Sequence, residues 1–528
     1  MGDNLHFYDL LIIFAYLATI SGIGYHFSRK RQTLDDFMRA GGGMGMLTVG
    51  LSLMAAINSG IDYIQTPSAV FKYGMVFVVS SISWLFLWPY VSRITIEFYR
   101  RLDVFSAYEY LERRFDVSVR ILAASIFILW RLGWMGTALY VPCLTISAAS
   151  EGAIPVTLMA VILGGVVTIY TMLGGIKAVI WTDMTQFFIM FGGLAATAAI
   201  VIYHVPGGIG EIFSVSWAYG KLDMWAMPAE MADATLARKL VLFFQQDVTL
   251  IGICLAVTVS RFSAFTADQV AIQRFETARS LKDAKNAFII IAVTDTIWMS
   301  VLGFVGIGLF AFYHHQSLPP DLPDDHLLPY FMRTMFPVGC TGLVIAAISA
   351  ASLSSVDSAI NSTSSIVTVD FYNRLFLKRV RPAETLSEQE QRAQIKVSRW
   401  STFVFGILGT IVACNVHRLG PLFAAAQKII GAFNGPIFGI FLLGMFSTRS
   451  RSLGVWIGGF TGLLGGCYAS FFSSLGWVWP PTVGVVTTLF VGYLTSLILG
   501  GGKADIEALT VRKVMSEAGL NVVSSKVK

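Results

Sequence analysis

The most constraining feature of the sequence is residues 343–372, an apolar segment long enough to cross a bilayer that nevertheless contains many serines. Four small residues in it recur at i, i+3, i+4 and i+7 and so share one stripe of a helix: Ala351, Ser354, Ser355 and Ser358. Hydroxyls and carbonyls beside the carboxylate of Asp357 are ligands that a small hard cation prefers. An acid in a membrane span indicates a functional site. The same stripe is also compatible with a close-packed helix interface.

The composition indicates a membrane protein. Hydrophobic residues make up 55% of the chain, charged residues 13%, and the mean hydropathy is +0.67. A soluble protein contains roughly a quarter charged residues, so we predict an all-α polytopic protein embedded in the lipid bilayer. The formal charge of +6 does not indicate nucleic-acid binding, because the basic residues fall between the apolar segments.

Two further features limit the interpretation. Residues 1–7 lack a basic n-region, so no cleavable signal peptide is expected. The five cysteines stand in or beside apolar segments without metal-ligand spacing, which predicts packing roles and no disulfide framework. They are Cys143, Cys254, Cys340, Cys414 and Cys467.

Crossing a bilayer takes about 20 helical residues, and by that measure the sequence contains about thirteen spans. They lie near residues 7–27, 45–70, 74–95, 119–149, 153–173, 177–204, 240–270, 285–314, 341–372, 395–415, 420–447, 452–474 and 480–500.

Basic residues cluster after odd-numbered spans, whereas the loops 205–238 and 315–340, which follow even-numbered spans, contain few. The clusters are Arg29, Lys30, Arg31, Arg100, Arg101, Arg113, Arg114, Arg274, Arg279, Lys282, Lys285, Lys378, Arg379, Arg381, Arg449, Arg451 and the lysines of the tail. Because Lys and Arg concentrate in cytoplasmic loops, we expect the N-terminus outside and the C-terminus in the cytoplasm. The expected location is the plasma or inner cell membrane.

Polar residues interrupt span 2 near residues 58–62 and span 7 near residues 261–269. Irregular backbone at membrane depth is tolerated where it lines an enclosed cavity. Two breaks five spans apart indicate inverted repeats around a central site. The predicted organisation is an N-terminal span and cytoplasmic loop (1–44), a first repeat of spans 2–6 (45–204), an extracellular loop (205–239), a second repeat of spans 7–11 (240–447), two C-terminal helices (448–502) and a cytoplasmic tail (503–528).

Several segments, specific in combination, resemble the sodium/solute symporter family, whose members carry sugars, proline, iodide, vitamins, monocarboxylates and sialic acid. They are ASLSSVDSAINSTSS at 351–365, YTMLGGIKAVIWTDMTQ at 170–186, TADQVAIQRF at 266–275, SAYEYLERRF at 106–115 and FLLGMF at 441–446. The resemblance covers roughly residues 45–447. It implies a LeuT-like five-plus-five fold with discontinuous helices in spans 2 and 7. It also implies Na⁺-coupled import of a small organic solute by alternating access.

The resemblance further implies a main sodium site at the break in span 2 and on span 9. Its ligands would be the carbonyls of Ala55, Asn58 and Ala351 with the hydroxyls of Ser354 and Ser355. Unwound backbone exposes carbonyls that a helix would consume. Neutral oxygens suit Na⁺, since Ca²⁺ normally brings several carboxylates.

A second sodium site is implied between spans 6 and 9. The matching positions are Thr182, Asp183, Ser354, Asp357 and Ser358, and Asp357 stands where the family usually has serine. Two neighbouring carboxylates could hold Na⁺ more tightly or share a proton. Asp183 could instead bond the backbone of a neighbouring helix.

The candidate substrate residues depart from the sugar-transporting members. The positions corresponding to their sugar ligands are Ile57, Asp62, Ser81, Arg261, Asp295 and Gln427, of which Gln427 alone keeps the residue type. We expect an ion pair between Arg261 and Asp295. If Asp295 neutralises Arg261 fully, the arginine is structural; if a substrate competes for it, Arg261 anchors a carboxylate.

Arg131, near mid-depth in span 4, is a second candidate anchor for an anion. It could also snorkel or pair with Asp62 or Asp295. The buried charges favour an organic anion or a zwitterion, with a sodium/sugar symporter as the alternative.

Three other kinds of protein fit the sequence less well: a membrane enzyme, a channel and a membrane sensor. No HExxH, Walker A or GxSxG motif is present, so we do not expect an enzyme. A channel would need a continuous polar stripe, whereas paired broken spans favour alternating access. A transporter-like membrane sensor would need a separate signalling partner, because the tail is short. We expect the symporter to function as a monomer.

Overall fold

The computed structural model describes residues 5–29, 34–224, 235–378, 387–420, 422–499 and 509–516. Within these ranges the chain is helical, and its β structure is limited to one isolated bridge between Met44 and Ala278. The α-helices are α1 Phe7–Ser28, α2 Leu34–Arg39, α3 Met46–Ile57, α4 Gly60–Tyr73, α5 Ser83–Tyr90, α6 Ile96–Leu102, α7 Ala107–Arg114, α8 Val117–Ala149, α9 Val156–His204, α10 Gly208–Ala218, α11 Leu236–Gln245, α12 Leu250–Thr266, α13 Gln269–Thr277, α14 Leu281–His315, α15 Leu327–Met335, α16 Cys340–Ile366, α17 Glu388–Asn415, α18 Leu422–Phe446, α19 Ser452–Phe471, α20 Pro480–Ile498 and α21 Val511–Met515.

Some spans continue through 3₁₀ or π turns. The 3₁₀ segment Met75–Ile82 leads into α5, and the π segment Val91–Thr95 joins α5 to α6, so Met75–Leu102 forms one candidate membrane span. A π segment, Val367–Phe376, extends α16 in the same way.

The described residues contain nine helices long and apolar enough to cross a membrane, or up to eleven if each of two bent pairs counts as one span. The predicted count of about thirteen stays a prediction. Thirteen spans would require two crossings more than these eleven: a second crossing by the 49-residue α9 and one crossing by α19.

The predicted interruption of span 2 is present. Helices α3 and α4 meet at an angle of 61°. Ser59 begins α4 as its N-cap in extended backbone, and the carboxylate of Asp62 accepts a hydrogen bond from the Ser59 backbone N–H. A Cβ on Gly60 would lie 2.2 Å from the Ser352 hydroxyl oxygen. Glycine at this position therefore allows the start of α4 to approach α16.

Span 7 is also interrupted, between the end of α12 and the start of α13. Asp268 is the N-cap of α13 and accepts from the backbone N–H of Val270 at 2.9 Å. Two tyrosine hydroxyls satisfy the carbonyls that the break exposes: Tyr99 donates to Thr266 at 2.6 Å, and Tyr108 donates to Ala267 at 3.0 Å.

Spans 5 and 6, predicted near 153–173 and 177–204, are joined without a loop. They form one helical segment, α9, in which Gly175 alone is non-helical, with φ 62° and ψ −167°. A Cβ there would lie 2.7 Å from Cδ2 of Phe37, so both the backbone conformation and the packing require glycine.

Helix α16, which contains the serine stripe found in the sequence, lies at the centre of the protein. Its most apolar window is 94% buried, against 22% for α1. It packs against α1, α3, α4, α8, α9 and α17. All five cysteines lie within the described ranges, where each has a free thiol.

The predicted membrane orientation stays a prediction. Several of the basic residues on which it depends lie outside the described residues: Lys30, Arg31, Arg379 and Arg381. The predicted tail, 503–528, is described only over residues 509–516.

Candidate functional site

The break between α3 and α4 faces the serine stripe of α16. Ser354 Oγ donates to the carbonyl of Ala55 at 2.9 Å and lies 3.0 Å from the carbonyl of Ala351. Ser355 Oγ lies 3.1 Å from the carbonyl of Ala56 and 3.4 Å from that of Asn58. The oxygens predicted for the main sodium site are therefore brought together, and Ala56 adds a carbonyl that the sequence did not indicate. We call this set the α3–α16 cage.

The chemistry of the cage fits a monovalent cation. Its ligand atoms are neutral carbonyl and hydroxyl oxygens, and the side chains of Asn58, Ser354 and Ser355 are buried. A serine hydroxyl that donates to a carbonyl can rotate its proton away and present a lone pair to a cation. Neutral oxygens without a carboxylate suit Na⁺ better than Ca²⁺.

The residues predicted for the second sodium site also cluster, around Asp357. Its Oδ2 accepts from Tyr170 Oη at 2.7 Å and lies 3.5 Å from Thr182 Oγ1, while its Oδ1 lies 3.2 Å from Ser358 Oγ. These side chains are all buried. Asp183 faces this group from α9, but its hydrogen bonds go elsewhere.

A buried guanidinium that the sequence interpretation missed lies in this cluster. Arg274 on α13 donates to Asp183 Oδ2 at 2.8 Å, to Ser52 Oγ at 2.9 Å, and to Ser358 Oγ. Ser52 in turn donates to Asp183 Oδ2 at 2.6 Å.

The placement of Arg274 corrects its interpretation as a residue that follows span 7 in a loop, because it lies within α13. Its side chain is 1% exposed, and the ion pair with Asp183 makes that burial tolerable. The alternative role for Asp183, bonding the backbone of a neighbouring helix, is not what the structure contains. Asp183 bonds the side chains of Arg274 and Ser52 instead.

A central cavity of about 260 Å³ opens beside the cage and both breaks. Most of the candidate substrate residues line it: Asp62, Arg131, Arg261, Asp295 and Gln427. Ser80 lines it in place of the predicted Ser81, whose hydroxyl is buried without a hydrogen-bond partner among the described residues.

The expected pair between Arg261 and Asp295 is present at 2.7 Å. Arg261 also donates to Ser83 Oγ at 2.6 Å, and its guanidinium lies 4.6 Å from the centre of the Trp84 ring. Trp84 Nε1 donates to the same carboxylate oxygen of Asp295 at 2.7 Å. These contacts fix the orientation of the pair at the wall of the cavity.

Arg131 forms an ion pair with Asp268, the N-cap of α13, and not with Asp62 or Asp295. Its guanidinium lies 4.4 Å from the centre of the Trp130 ring. Its buried Nε has no hydrogen-bond partner within the described residues. The arginine therefore keeps a donor for a ligand in addition to its carboxylate partner.

A second space, the vestibule, adjoins the central cavity and has a volume of about 370 Å³. Gln427 and Trp477 line both, so these two residues lie where the two spaces meet. Trp477 belongs to the loop between α19 and α20, and its ring lies 6.3 Å from that of Phe77. The sequence did not indicate Trp477, because it lies outside the two predicted repeats.

A family model described as the sodium:solute symporter family matches residues 37–462. The sodium/sialic acid symporter SiaT of Proteus mirabilis is 29% identical over 94% of this chain and 96% of its own length. Human sodium-coupled monocarboxylate transporter 1 is 28% identical over 89% of this chain and 74% of its own length.

Among solved structures, the substrate-bound outward-open state of a Na⁺-coupled sialic acid symporter matches with a TM-score of 0.82 and 28% identity. The match covers 94% of this chain and 98% of that one. It confirms the predicted all-helical, LeuT-like transporter fold.

Proposed function

Because the chain belongs to the sodium:solute symporter family, we propose that it imports a small organic anion or zwitterion together with Na⁺ by alternating access. Na⁺ is the coupling ion. The observation that carries the proposal is the contact between α16 and the break after α3. There the hydroxyl of Ser354 meets the carbonyl of Ala55, and the hydroxyl of Ser355 lies near the carbonyl of Asn58.

Na⁺ binds in the α3–α16 cage, to the carbonyls of Ala55, Asn58 and Ala351 and the hydroxyls of Ser354 and Ser355. The cage joins α3, at the break of the first repeat, to α16 in the second repeat. An ion bound there stabilises the conformation in which the two helices are close. Since a ligand shifts an equilibrium only through differential affinity, Na⁺ favours the state in which these oxygens converge.

A second cation site lies at Thr182, Asp183, Asp357 and Ser358. Two carboxylates there face one guanidinium, that of Arg274, so one negative charge remains for a further cation. Tyr170 and Ser358 orient the Asp357 carboxylate by hydrogen bonds. Asp183 is already neutralised by Arg274, so Asp357 supplies the charge that holds the second Na⁺.

The substrate binds in the central cavity, whose candidate contacts are Asp62, Ser80, Arg131, Arg261, Asp295 and Gln427. Arg131 with its unpaired Nε is the better anchor for a carboxylate, because Arg261 is held by Asp295 and Ser83. A cavity of about 260 Å³ is near the lower limit of ligand pockets, which suits a small solute.

The protein is multi-pass, and we assign it to the plasma or inner membrane with its N-terminus outside. Spans 2–6 and 7–11 form the two inverted repeats, and the protein acts as a monomer within the bilayer. The vestibule opens to the outside. The protein works as a transporter and catalyses no covalent chemistry.

The proposal is tested by Na⁺ titration of the purified protein, with thermal stability as the readout and K⁺ as the replacement ion. Ser355→Ala should weaken Na⁺ affinity by about tenfold or more, since even outer-shell changes at ion sites cost about 10–100-fold. Ser362→Ala is the matched control, because this buried serine of α16 bonds Ala359 of its own helix at 3.1 Å. Equal Na⁺ affinity in wild type and Ser355→Ala would contradict the assignment.

A further inference from the structure

From the charges that line the central cavity, we infer that the substrate is a zwitterion whose ammonium group binds the carboxylate of Asp62. The inference rests on the proposed function, because it names the substrate class of the same cavity. Of the two substrate classes in the proposed function, the inference selects the zwitterion over the simple organic anion.

The formal charges of the side chains that line the cavity do not sum to zero. Asp62, Asp268 and Asp295 are acidic, and Arg131 and Arg261 are basic. Arg131 pairs with Asp268, and Arg261 pairs with Asp295. Among the described residues Asp62 has no ion-pair partner, so the cavity carries one net negative charge.

The geometry of Asp62 leaves part of its carboxylate for a ligand. Its Oδ2 accepts from the backbone N–H of Ser59 at 2.7 Å and lies 3.4 Å from the Ser59 hydroxyl, as the capping box of α4. Both contacts use the same oxygen, so Oδ1 can accept from a group in the cavity. An ammonium group meets this requirement with charge and with N–H donors.

A second polar group without a partner lines the same cavity. The side chain of Asn434 on α18 is 3% exposed, and its Oδ1 accepts no hydrogen bond within the described part of the chain. A buried acceptor without a donor is costly, and a ligand N–H would satisfy it. Asn434 therefore gives the lining of the cavity a second acceptor, besides Oδ1 of Asp62, that no donor among the described residues satisfies.

The coupled ion completes the balance. Asn58, whose carbonyl belongs to the α3–α16 cage, also lines the cavity, and Asp62 lies four residues later in the first turn of α4. With Na⁺ bound, the charges of the ion, the arginines and the carboxylates sum to zero. An anion would then add an uncompensated buried charge, whereas a zwitterion adds none.

The alternative is that Asp62 only caps α4. A cap needs one acceptor oxygen and no charge, so Asp62→Asn should preserve the cap and remove the ammonium partner. The two explanations therefore predict different effects of this substitution on ligand binding.

The experiment measures the melting temperature of the purified full-length protein in Na⁺ and in K⁺, followed by calorimetric titration. The probes are α-amino acids and γ-aminobutyrate, each with its deaminated acid and its decarboxylated amine. N-acetylneuraminate and lactate represent acids without an ammonium group. We expect Na⁺-dependent binding of at least one zwitterion, with its deaminated acid about tenfold weaker or worse.

Asp62→Asn should lower the affinity for that zwitterion by about tenfold or more, while the melting temperature still rises with Na⁺ and not with K⁺. If this variant does not fold, the comparison of zwitterion with deaminated acid in the wild type decides the question. The inference is overturned if no zwitterion binds in a Na⁺-dependent manner, if a deaminated acid binds as tightly as its parent, or if Asp62→Asn binds the zwitterion like wild type. Na⁺-dependent binding of lactate or N-acetylneuraminate alone would overturn the inference and leave the proposed symport intact. Loss of every Na⁺ effect would overturn both.

Discussion

Arg274 on α13 donates to Asp183 on α9 at 2.8 Å, and both side chains are almost fully excluded from solvent. This ion pair connects helices from the two predicted repeats. It also places a permanent positive charge beside the carboxylate of Asp357. The pair therefore contributes to the stability of the fold and to the charge of the second cation site.

Removing one member of this pair should destabilise the protein strongly. Asp183→Asn leaves the buried guanidinium of Arg274 without the carboxylate that it bonds directly, which costs about 3–5 kcal/mol. The double variant Asp183→Leu/Arg274→Met removes both charges and should recover most of the loss. Thermal unfolding in detergent or nanodiscs measures both effects.

The control is Lys285→Met, which breaks the pair with Glu97 at 3.1 Å. Those side chains are 31% and 20% exposed, so the change should cost under about 1 kcal/mol. Equal losses for Asp183→Asn and Lys285→Met would show that the buried pair has no special role.

The close approach of Gly60 to α16 predicts a specific loss of Na⁺ binding. In Gly60→Ala, the new Cβ would lie 2.2 Å from Ser352 Oγ and 2.9 Å from the Ile348 carbonyl, so α4 must move away from α16. Because the cage depends on that approach, Na⁺ affinity should fall by about tenfold, the effect of a 1.4 kcal/mol loss. Gly165→Ala, on α9 with nothing within 4 Å, should leave Na⁺ affinity unchanged. A thermal-shift titration with Na⁺ distinguishes the two variants.

Much of the central architecture could be predicted because its signals are local. Polar residues in an apolar segment predict the break at residues 58–60, and helical spacing places Ser354 and Ser355 on one stripe. The pairing of Arg261 with Asp295 was predicted from the family resemblance, which implies that both line the substrate cavity, together with the cost of opposite charges left unpaired in a membrane.

The parts that were missed depend on distant contacts. From the sequence, Arg274 was assigned to a loop, because its counter-charge, Asp183, is far away in the sequence. The structure shows that the two form a buried ion pair. The partner of Arg131 was Asp268, because the break in span 7 turns this N-cap toward α8. The role of Trp477 requires knowing that the loop between α19 and α20 packs over the cavity, where Gly476 N–H donates to the Phe244 carbonyl at 2.9 Å.

Asp357 should determine how many cations the protein binds. Asp357→Ser keeps a side-chain oxygen at this position and removes the negative charge that Arg274 leaves uncompensated. We expect the Hill coefficient for Na⁺ to fall toward one, while the affinity of the α3–α16 cage changes little. Na⁺ titration by thermal shift or calorimetry measures both quantities. Unchanged cooperativity in Asp357→Ser would argue against a second sodium site.

Trp477 should limit access from the vestibule to the central cavity, since its ring lines both spaces and lies 6.3 Å from that of Phe77. The test uses Ser260→Cys, which places a thiol in the cavity wall, in a background without the five native cysteines. Trp477→Ala should raise the rate at which a membrane-impermeant thiol reagent modifies this cysteine several-fold, because a bulky side chain no longer separates the two spaces. Trp217→Ala, on α10 and 77% exposed, removes the same volume away from the cavity and should leave the rate unchanged. Equal rates for the two tryptophan variants would mean that the loop between α19 and α20 does not control entry. In that case the barrier would have to lie within the two repeats, with Gln427 as the remaining side chain that lines both spaces.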